Sequence, residues 1–324
     1  MERRELGRSG IAVSRVILGC GNFGGIGSAP AFFGQGESEE EAFAIMDAAW
    51  ELGISTFDTA DAYGGGRSES AIGKWLHTKG PEVRDDLVLT TKTFNPMEEG
   101  ADRGLSRTRI PRQIETSLER LGVERVPLYM AHDWDPDTPI EDTLRALDEL
   151  VRAGKVGAVG ASNFSGEQLA EALEISELEG LARFEWVQNS YSLLDREPEE
   201  AVIPVCREHG LGFSPFGPLS GGWLTGKYER GATPPPGSRM ATRPEPYRHL
   251  VDNRVFDGLD AFAAQATERG VSSAGLALAW VLGHPDVTAV VIGPRRTEHL
   301  QPVSEALGLE LTKAERDSLA GLFP

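Results

Sequence analysis

Asp58, Tyr63, Lys92 and His132 are residue types that can move a proton. Asp58 and Tyr63 stand in "FDTADAYGGGRSESAIGKWL", residues 57–76, on either side of a bend that precedes a helical pattern. A free phenol, with a pKa of about 10, is a poor proton donor or acceptor near neutrality. A neighbouring ammonium favours phenolate and lowers that value. In this reading the Asp58 carboxylate holds Lys92 charged and in place. His132 hydrogen-bonds the same oxygen that Tyr63 protonates. Such a set delivers a proton to a carbonyl oxygen. Taken singly, each residue has a plainer role: a turn cap, a packing ring, a solvated lysine, a hydrogen-bonded histidine. Their joint meaning depends on the elements that position them.

Apolar, β-branched runs alternate with longer amphipathic stretches. Strands are predicted at Val13–Cys20, Ile54–Asp58, Leu87–Thr93, Val126–His132, Val156–Ser162, Phe184–Asn189, Gly212–Phe216 and Ala289–Gly293. Helices are predicted at 38–52, 68–78, 109–121, 140–153, 166–177, 198–209, 252–269, 272–283 and 297–307. Ser38 to Glu41 reads as a capping box. Gly53, Gly122, Gly154, Gly210 and Gly270 read as helix stops. Eight strands, each followed by a helix, predict a parallel (β/α)8 TIM barrel, with a doubly wound open sheet as the other arrangement that alternates in this way. The Ser9-Gly10 turn predicts an N-terminal β-hairpin outside the barrel. A long irregular loop follows strand 7, at about 217–251, and a loop of that length is usually functional or mobile. With no linker, low-complexity tract or short repeat, residues 1–324 read as one domain. In such a barrel the C-terminal strand ends converge on one face. Asp58 and His132 end strands 2 and 4, strand 3 ends near Lys92, and Tyr63 lies in the loop after strand 2.

The 324 residues are 40% hydrophobic and 25% charged, with a formal net charge of −18. An acidic surface argues against a nucleic-acid partner. Any anionic ligand must then be met by a local basic cluster, which directs attention to Arg and Lys in loops. Cys20 and Cys206 form no CxxC pair, which fits a reducing compartment, and MERRELGRSG lacks an apolar h-region. A cytoplasmic location is therefore expected, with no membrane span. No residue group suggests a metal site.

Two glycine motifs are weak. Gly19-Cys-Gly21-Asn-Phe-Gly24 matches GxGxxG, but no helix opens at the third glycine. Gly221 to Lys227 nearly matches a Walker A loop, yet Tyr228 replaces the hydroxyl residue that would bind magnesium. That loop can still present backbone N–H groups to phosphates.

The stretches "GRSGIAVSRVILGCGNFGG", "FDTADAYGGGRSESAIGKWL", "LTTKT", "VQNSYSLLDRE", "GPLSGGWLTGKY" and "VVIGPRRTEHL" carry a resemblance to the aldo-keto reductases over essentially the whole chain. So does the long stretch from Ser117 to Ser165. The resemblance implies a (β/α)8 barrel, NADPH/NADP+ held without a Rossmann domain, and reduction of aldehydes or ketones. Its catalytic tetrad falls on Asp58, Tyr63, Lys92 and His132, with Tyr63 as general acid. Ser162, Asn163 and Gln188 would hold the nicotinamide carboxamide. The 217–227 segment, with Gly217, Leu219, Gly221, Leu224 and Lys227, would wrap the pyrophosphate. Arg295, with Arg296, would meet the 2′-phosphate. Gly21, Phe23, Gly293 and His299 complete the implied cofactor set. Phe216 stands where many members carry a nicotinamide-stacking Tyr. His299 stands where Gln or Arg is common, and Pro302-Val303 replaces a frequent Glu-Asn near the adenine.

The reading that follows is an NADP-dependent oxidoreductase acting on a small carbonyl substrate. The alternative is a nucleotide-bound regulatory or scaffold subunit with little turnover, resembling potassium-channel β subunits. Trp134, Phe32, Phe33 and Trp223 are the candidates for the substrate pocket wall.

Overall fold

The N-terminal hairpin joins β1 (Arg3–Glu5) to β2 (Ala12–Ser14), paired antiparallel in the computed structural model, which describes residues 1–324. Eight parallel strands follow: β3 (Val16–Gly19), β4 (Thr56–Asp58), β5 (Val88–Thr93), β6 (Val126–Ala131), β7 (Val156–Ser162), β8 (Phe184–Gln188), β9 (Gly212–Phe213) and β10 (Val290–Ile292). They form one sheet in the order β10-β3-β4-β5-β6-β7-β8-β9. Its two edges meet through Thr288 N to Phe213 O, Val291 N to Pro215 O (both 2.8 Å) and a parallel bridge between Phe216 and Val291. The sheet thus curls into the (β/α)8 TIM barrel expected from the alternation.

The run 13–20, read as one strand, is split. Val13 belongs to the hairpin and Val16 begins the barrel. The break has local causes. The Ser14 hydroxyl turns onto the Val16 carbonyl, and the Arg15 guanidinium donates to the carbonyls of Leu282, Val287 and Thr288. The hairpin's Leu6 and Val13 pack with Ile17, Leu128, Met130, Trp186 and Val291 in a cluster separate from the larger core between sheet and helices.

Helix bounds follow capping and periodicity. In helix Arg109–Leu121, Ile110, Ile114, Ser117, Leu118 and Leu121 are buried, one face of a 3.6-residue period. Ser38 caps helix Glu39–Glu51 with a complete capping box. The five expected stop glycines all have positive φ, from 65° to 82°. The stretch 297–307, read as one helix, begins as a 3-10 turn over Thr297–Leu300 and continues as α-helix from Gln301. Pro302 has no N–H to donate, so it suits a helix start. Helices Pro81–Asp86 and Lys313–Ala320 were not foreseen, although Thr312 and Glu315 form a capping box legible in the sequence.

Gly160 on β7 shows how tightly the barrel is filled. A β-carbon there would lie 2.6 Å from the Trp186 ring, which is itself fully buried. Gly160→Ala is expected to destabilise the fold by roughly 1–3 kcal/mol through overpacking. Chemical denaturation should show a lower midpoint, whereas Gly157→Ala would press on the Pro127 carbonyl without touching Trp186. An unchanged midpoint for Gly160→Ala would show that Trp186 moves aside freely.

Candidate active site

Parallel register brings the expected side chains to one end of the barrel. Gly19 pairs with Asp58, Lys92 with Met130, Ala131 with Ala161, and Ser162 with Gln188. Asp58, Lys92, Ser162 and Gln188 therefore stand at or next to the C-terminal ends of β4, β5, β7 and β8. His132 is the first residue after β6. Tyr63 opens a 3-10 turn through Gly65, and Gly64, Gly65 and the capping Gly66 all have positive φ.

Lys92 has no exposed side-chain surface. Its ammonium donates to Asp58 Oδ2 at 2.5 Å, to the Thr59 carbonyl at 3.0 Å and to the Tyr63 hydroxyl at 3.3 Å. Gln188 Nε2 donates to the other Asp58 oxygen at 3.3 Å. Tyr63 Oη also lies 3.4 Å from His132 Nε2, with the two rings edge-on. Asn95 Nδ2 lies 3.4 Å from His132 Nδ1, and Asn163 Nδ2 donates to the His132 carbonyl at 2.9 Å. With the Asn95 amide donating to Nδ1, the imidazole proton resides on Nε2 and faces Tyr63. The Tyr63 oxygen then accepts from both Lys92 and His132, so its own hydrogen is free to point away from them.

Electrostatics sharpen this picture. Burial works against the Lys92 charge, but Asp58 and Tyr63 outweigh it and hold the ammonium above its ordinary range. Burial, reinforced by the Lys92 charge, pushes His132 well below its usual value and keeps it neutral. Tyr63 was expected to be drawn downward by Lys92. Instead burial dominates the opposing pull of Lys92, and the phenol is held above its usual value. Tyr63 is therefore held as a protonated phenol rather than a resting phenolate.

A second constellation lies at the loops. Arg239 donates to Asn22 Oδ1 at 2.5 Å, and one of its terminal nitrogens is buried with no partner. Arg295 donates to Glu37 at 2.5 Å and to the Gly237 carbonyl at 2.8 Å. The charges of Arg239 and Arg295 add to burial in lowering Lys227. Arg243 lies over the Phe32 ring. The long loop after β9 is therefore pinned to the loop after β3, and it contains 3-10 turns at Ser220–Thr225 and Glu245–Leu250.

The remaining expected residues fall as follows. A β-carbon at Gly21 would touch the Tyr63 ring at 3.5 Å, so the loop after β3 passes close over the phenol. Phe216 is half-buried beside β10. Gly217 and Gly221 have positive φ, and a β-carbon at Gly222 would lie 2.2 Å from Lys227 Nζ. The rings of Phe23 and Trp223 and the Leu224 side chain are buried in the core. Trp223 packs on Tyr228 and Phe256, so it is no pocket wall. Trp134 is half-buried against Phe164. The Ser162 hydroxyl donates to the Gln188 carbonyl, and Asn163 has a φ of 60°. Gly293 and Arg296 are exposed, and His299 Nδ1 accepts from the Arg295 N–H. Asn95, Asn22, Glu37 and Arg239 were not foreseen. Arg239 had a signal, as an arginine inside the long loop of an acidic protein.

A buried Asp–Lys–Tyr–His cluster thus stands at the C-terminal strand ends of a (β/α)8 barrel, beside a loop that carries Lys227, Arg239 and Arg243. The model of the aldo/keto reductase family matches residues 15–322, and the chain belongs to that family, whose members are oxidoreductases that generally use nicotinamide cofactors. It is 38% identical to an uncharacterized oxidoreductase, YrpG, of Bacillus subtilis (strain 168), covering 100% of this chain and 96% of that one. It is 32% identical to a probable voltage-gated potassium channel subunit beta of Oryza sativa subsp. japonica, over 95% and 91% of the two chains. It is 30% identical to a versiconal hemiacetal acetate reductase of Aspergillus parasiticus, over 97% and 95%. No helix is long and apolar enough to cross a membrane.

The residues present fit a phosphate-bearing nicotinamide cofactor. Arg239 keeps an unpartnered buried nitrogen and Ser238 an unpartnered buried hydroxyl. Gly221 and Gly222 lie in left-handed backbone, packed against the Tyr247 ring and Lys227 Nζ.

His132 yields a prediction on pH. Its folded-state pKa is depressed, whereas an unfolded His titrates near 6.5. The folded form therefore binds fewer protons than the unfolded chain below that value. His132 costs no stability above about pH 6.5, and the fold loses stability as pH drops below it. Nitrogen-15 NMR should show an Nε2–H tautomer that does not titrate between about pH 8 and about pH 6. A midpoint near 6.5 would contradict the buried, neutral assignment.

Proposed function

We propose that this protein reduces an aldehyde or ketone to the alcohol, with NADPH as reductant and Tyr63 as proton donor. The observation that carries this reading is the Tyr63 hydroxyl, which lies 3.3 Å from Lys92 Nζ and 3.4 Å from His132 Nε2 in a cluster closed off by Asp58. When bound, the reduced nicotinamide supplies a hydride to the carbonyl carbon. The chain's own residues supply the rest. Tyr63 donates its proton to the carbonyl oxygen as negative charge grows there. Lys92, fixed by Asp58, stabilises the phenolate that remains. His132, neutral with its one N–H on Nε2, orients Tyr63 in the resting site and turns that hydrogen bond to the carbonyl oxygen as the oxygen gains charge. Ser162, Asn163 and Gln188 are proposed to hold the carboxamide, Phe216 to stack on the ring, and Arg295, Arg296 and Lys227 to meet the phosphates. Arg239 joins that last group. Contacts of 3.3–3.4 Å are long, which is common before a substrate completes a catalytic site. The whole is read as one domain working in the cytoplasm, with both thiols free and buried.

A panel of aldehydes and ketones, assayed for NADPH oxidation, tests the reaction. Tyr63→Phe should lower turnover by roughly 10²–10⁴ with cofactor binding intact. Near-normal turnover of that variant would remove Tyr63 from its role. Similarity to a probable channel β subunit favours a second reading, a nucleotide-bound regulatory subunit. Tight NADPH binding with negligible turnover across the whole panel would select it.

Cofactor choice follows from Arg295. A guanidinium grips a phosphate through charge-assisted bonds, each worth about 1.5–3 kcal/mol. NADPH should bind roughly tenfold or more tightly than NADH, because ~1.4 kcal/mol is a factor of ten. Arg295→Ala should narrow that ratio, and adding Arg296→Ala should remove most of it. Fluorescence titration with both cofactors decides the matter, and equal affinities in the wild type would contradict it.

A further inference from the structure

The basic cluster contains an acid. Glu37 lies between the glycine-rich loop after β3 and the capping box of helix Glu39–Glu51, and it is only 5% exposed. One carboxylate oxygen accepts from Arg295 Nε at 2.5 Å. The other is sealed from water and has no hydrogen-bond donor. Arg239, whose charge also reaches Glu37, keeps a buried nitrogen free, and the neighbouring Ser238 hydroxyl is buried and free as well.

A carboxylate that served only to latch the loop would satisfy both its oxygens. Leaving one buried acceptor unmade costs free energy unless a ligand supplies the donor. We propose that Glu37 is a specificity-determining residue: a resident carboxylate that competes with a 2′-phosphate for Arg295 and offers its second oxygen to a ribose 2′-hydroxyl. The two ligand groups meet opposite physics at this position. A hydroxyl has a proton to donate and carries no charge. An ionised phosphate has only acceptors to present and is repelled by the carboxylate. The Arg295 guanidinium, half-exposed and already engaged by Glu37 and the Gly237 carbonyl, must exchange one of these partners to grip a phosphate. Arg295 and Glu37 thus act in opposite directions, and the balance between them sets how far the site prefers NADPH over NADH.

This inference rests on the cofactor reading above, and the test separates the two. Calorimetric titration of the wild type, Glu37→Gln and Glu37→Ala with NADP+ and NAD+ gives affinities without turnover. Glu37→Gln keeps the side chain's shape and removes its charge. It should tighten NADP+ about tenfold, equivalent to ~1.4 kcal/mol. NAD+ should be unchanged or weakened, so the NADP+ to NAD+ preference rises. Glu37→Ala, which removes the side chain altogether, must move the ratio in the same direction. This second variant keeps the test decisive if the first folds poorly, as thermal melting without ligand would show. A ratio that stays fixed or falls in the variants would overturn the assignment and make Glu37 a latch that orients Arg295 for phosphate. A wild type that binds neither dinucleotide would overturn the cofactor reading itself.

Discussion

A fully buried ammonium cannot persist without an opposing charge, and the placement of Lys92 imposes that constraint on everything around it. Asp58 answers it at 2.5 Å, and Gln188 fixes the far oxygen of Asp58. Removing one partner of such a pair typically costs ~3–5 kcal/mol, since the other charge is left stranded in low dielectric. The arrangement is therefore expensive as pure architecture. Its chemical return is a cation held against the Tyr63 phenol, where water would otherwise screen it.

The barrel makes this constraint affordable because it needs so little of each strand. Three residues of β4 suffice to bring Asp58 beside Gly19 and in line with Thr90. The loops then define the rest of the site. The turn after β4 folds Tyr63 back over Lys92, and the loop after β3 presses Gly21 against the Tyr63 ring. The loop after β9 is held to its neighbours by Arg239 on Asn22 and by the Gly237 carbonyl on Arg295. Long as it is, that loop is anchored by charge-assisted hydrogen bonds to the loops after β3 and β10.

Much of this was legible in the sequence because strand ends are. Asp58, Lys92 and His132 each close an apolar, β-branched run, so their convergence needs only the barrel geometry. The glycines at 53, 122, 154, 210 and 270 announced helix ends because left-handed backbone favours glycine. What escaped depends on side chains meeting across the fold. Asn95 reaches His132 only after β5 and β6 pair. Glu37 and Arg295, 258 positions apart, meet only when the first and last barrel strands pair. The direction of the Tyr63 shift was misjudged because the Lys92 charge was legible while the extent of burial was not. Arg15 ended a strand early for the same kind of reason, since its carbonyl partners lie near β10.

The Lys92–Asp58 pair is open to direct measurement. Carbon-13 NMR of selectively labelled lysine, in the wild type and in Asp58→Asn, reads the protonation state of Lys92 itself. The Lys92 signal should remain ammonium to above about pH 10 in the wild type and titrate at clearly lower pH once the carboxylate is gone. A Lys92 already neutral near pH 7 in the wild type, or one whose titration ignores Asp58→Asn, would contradict that pairing.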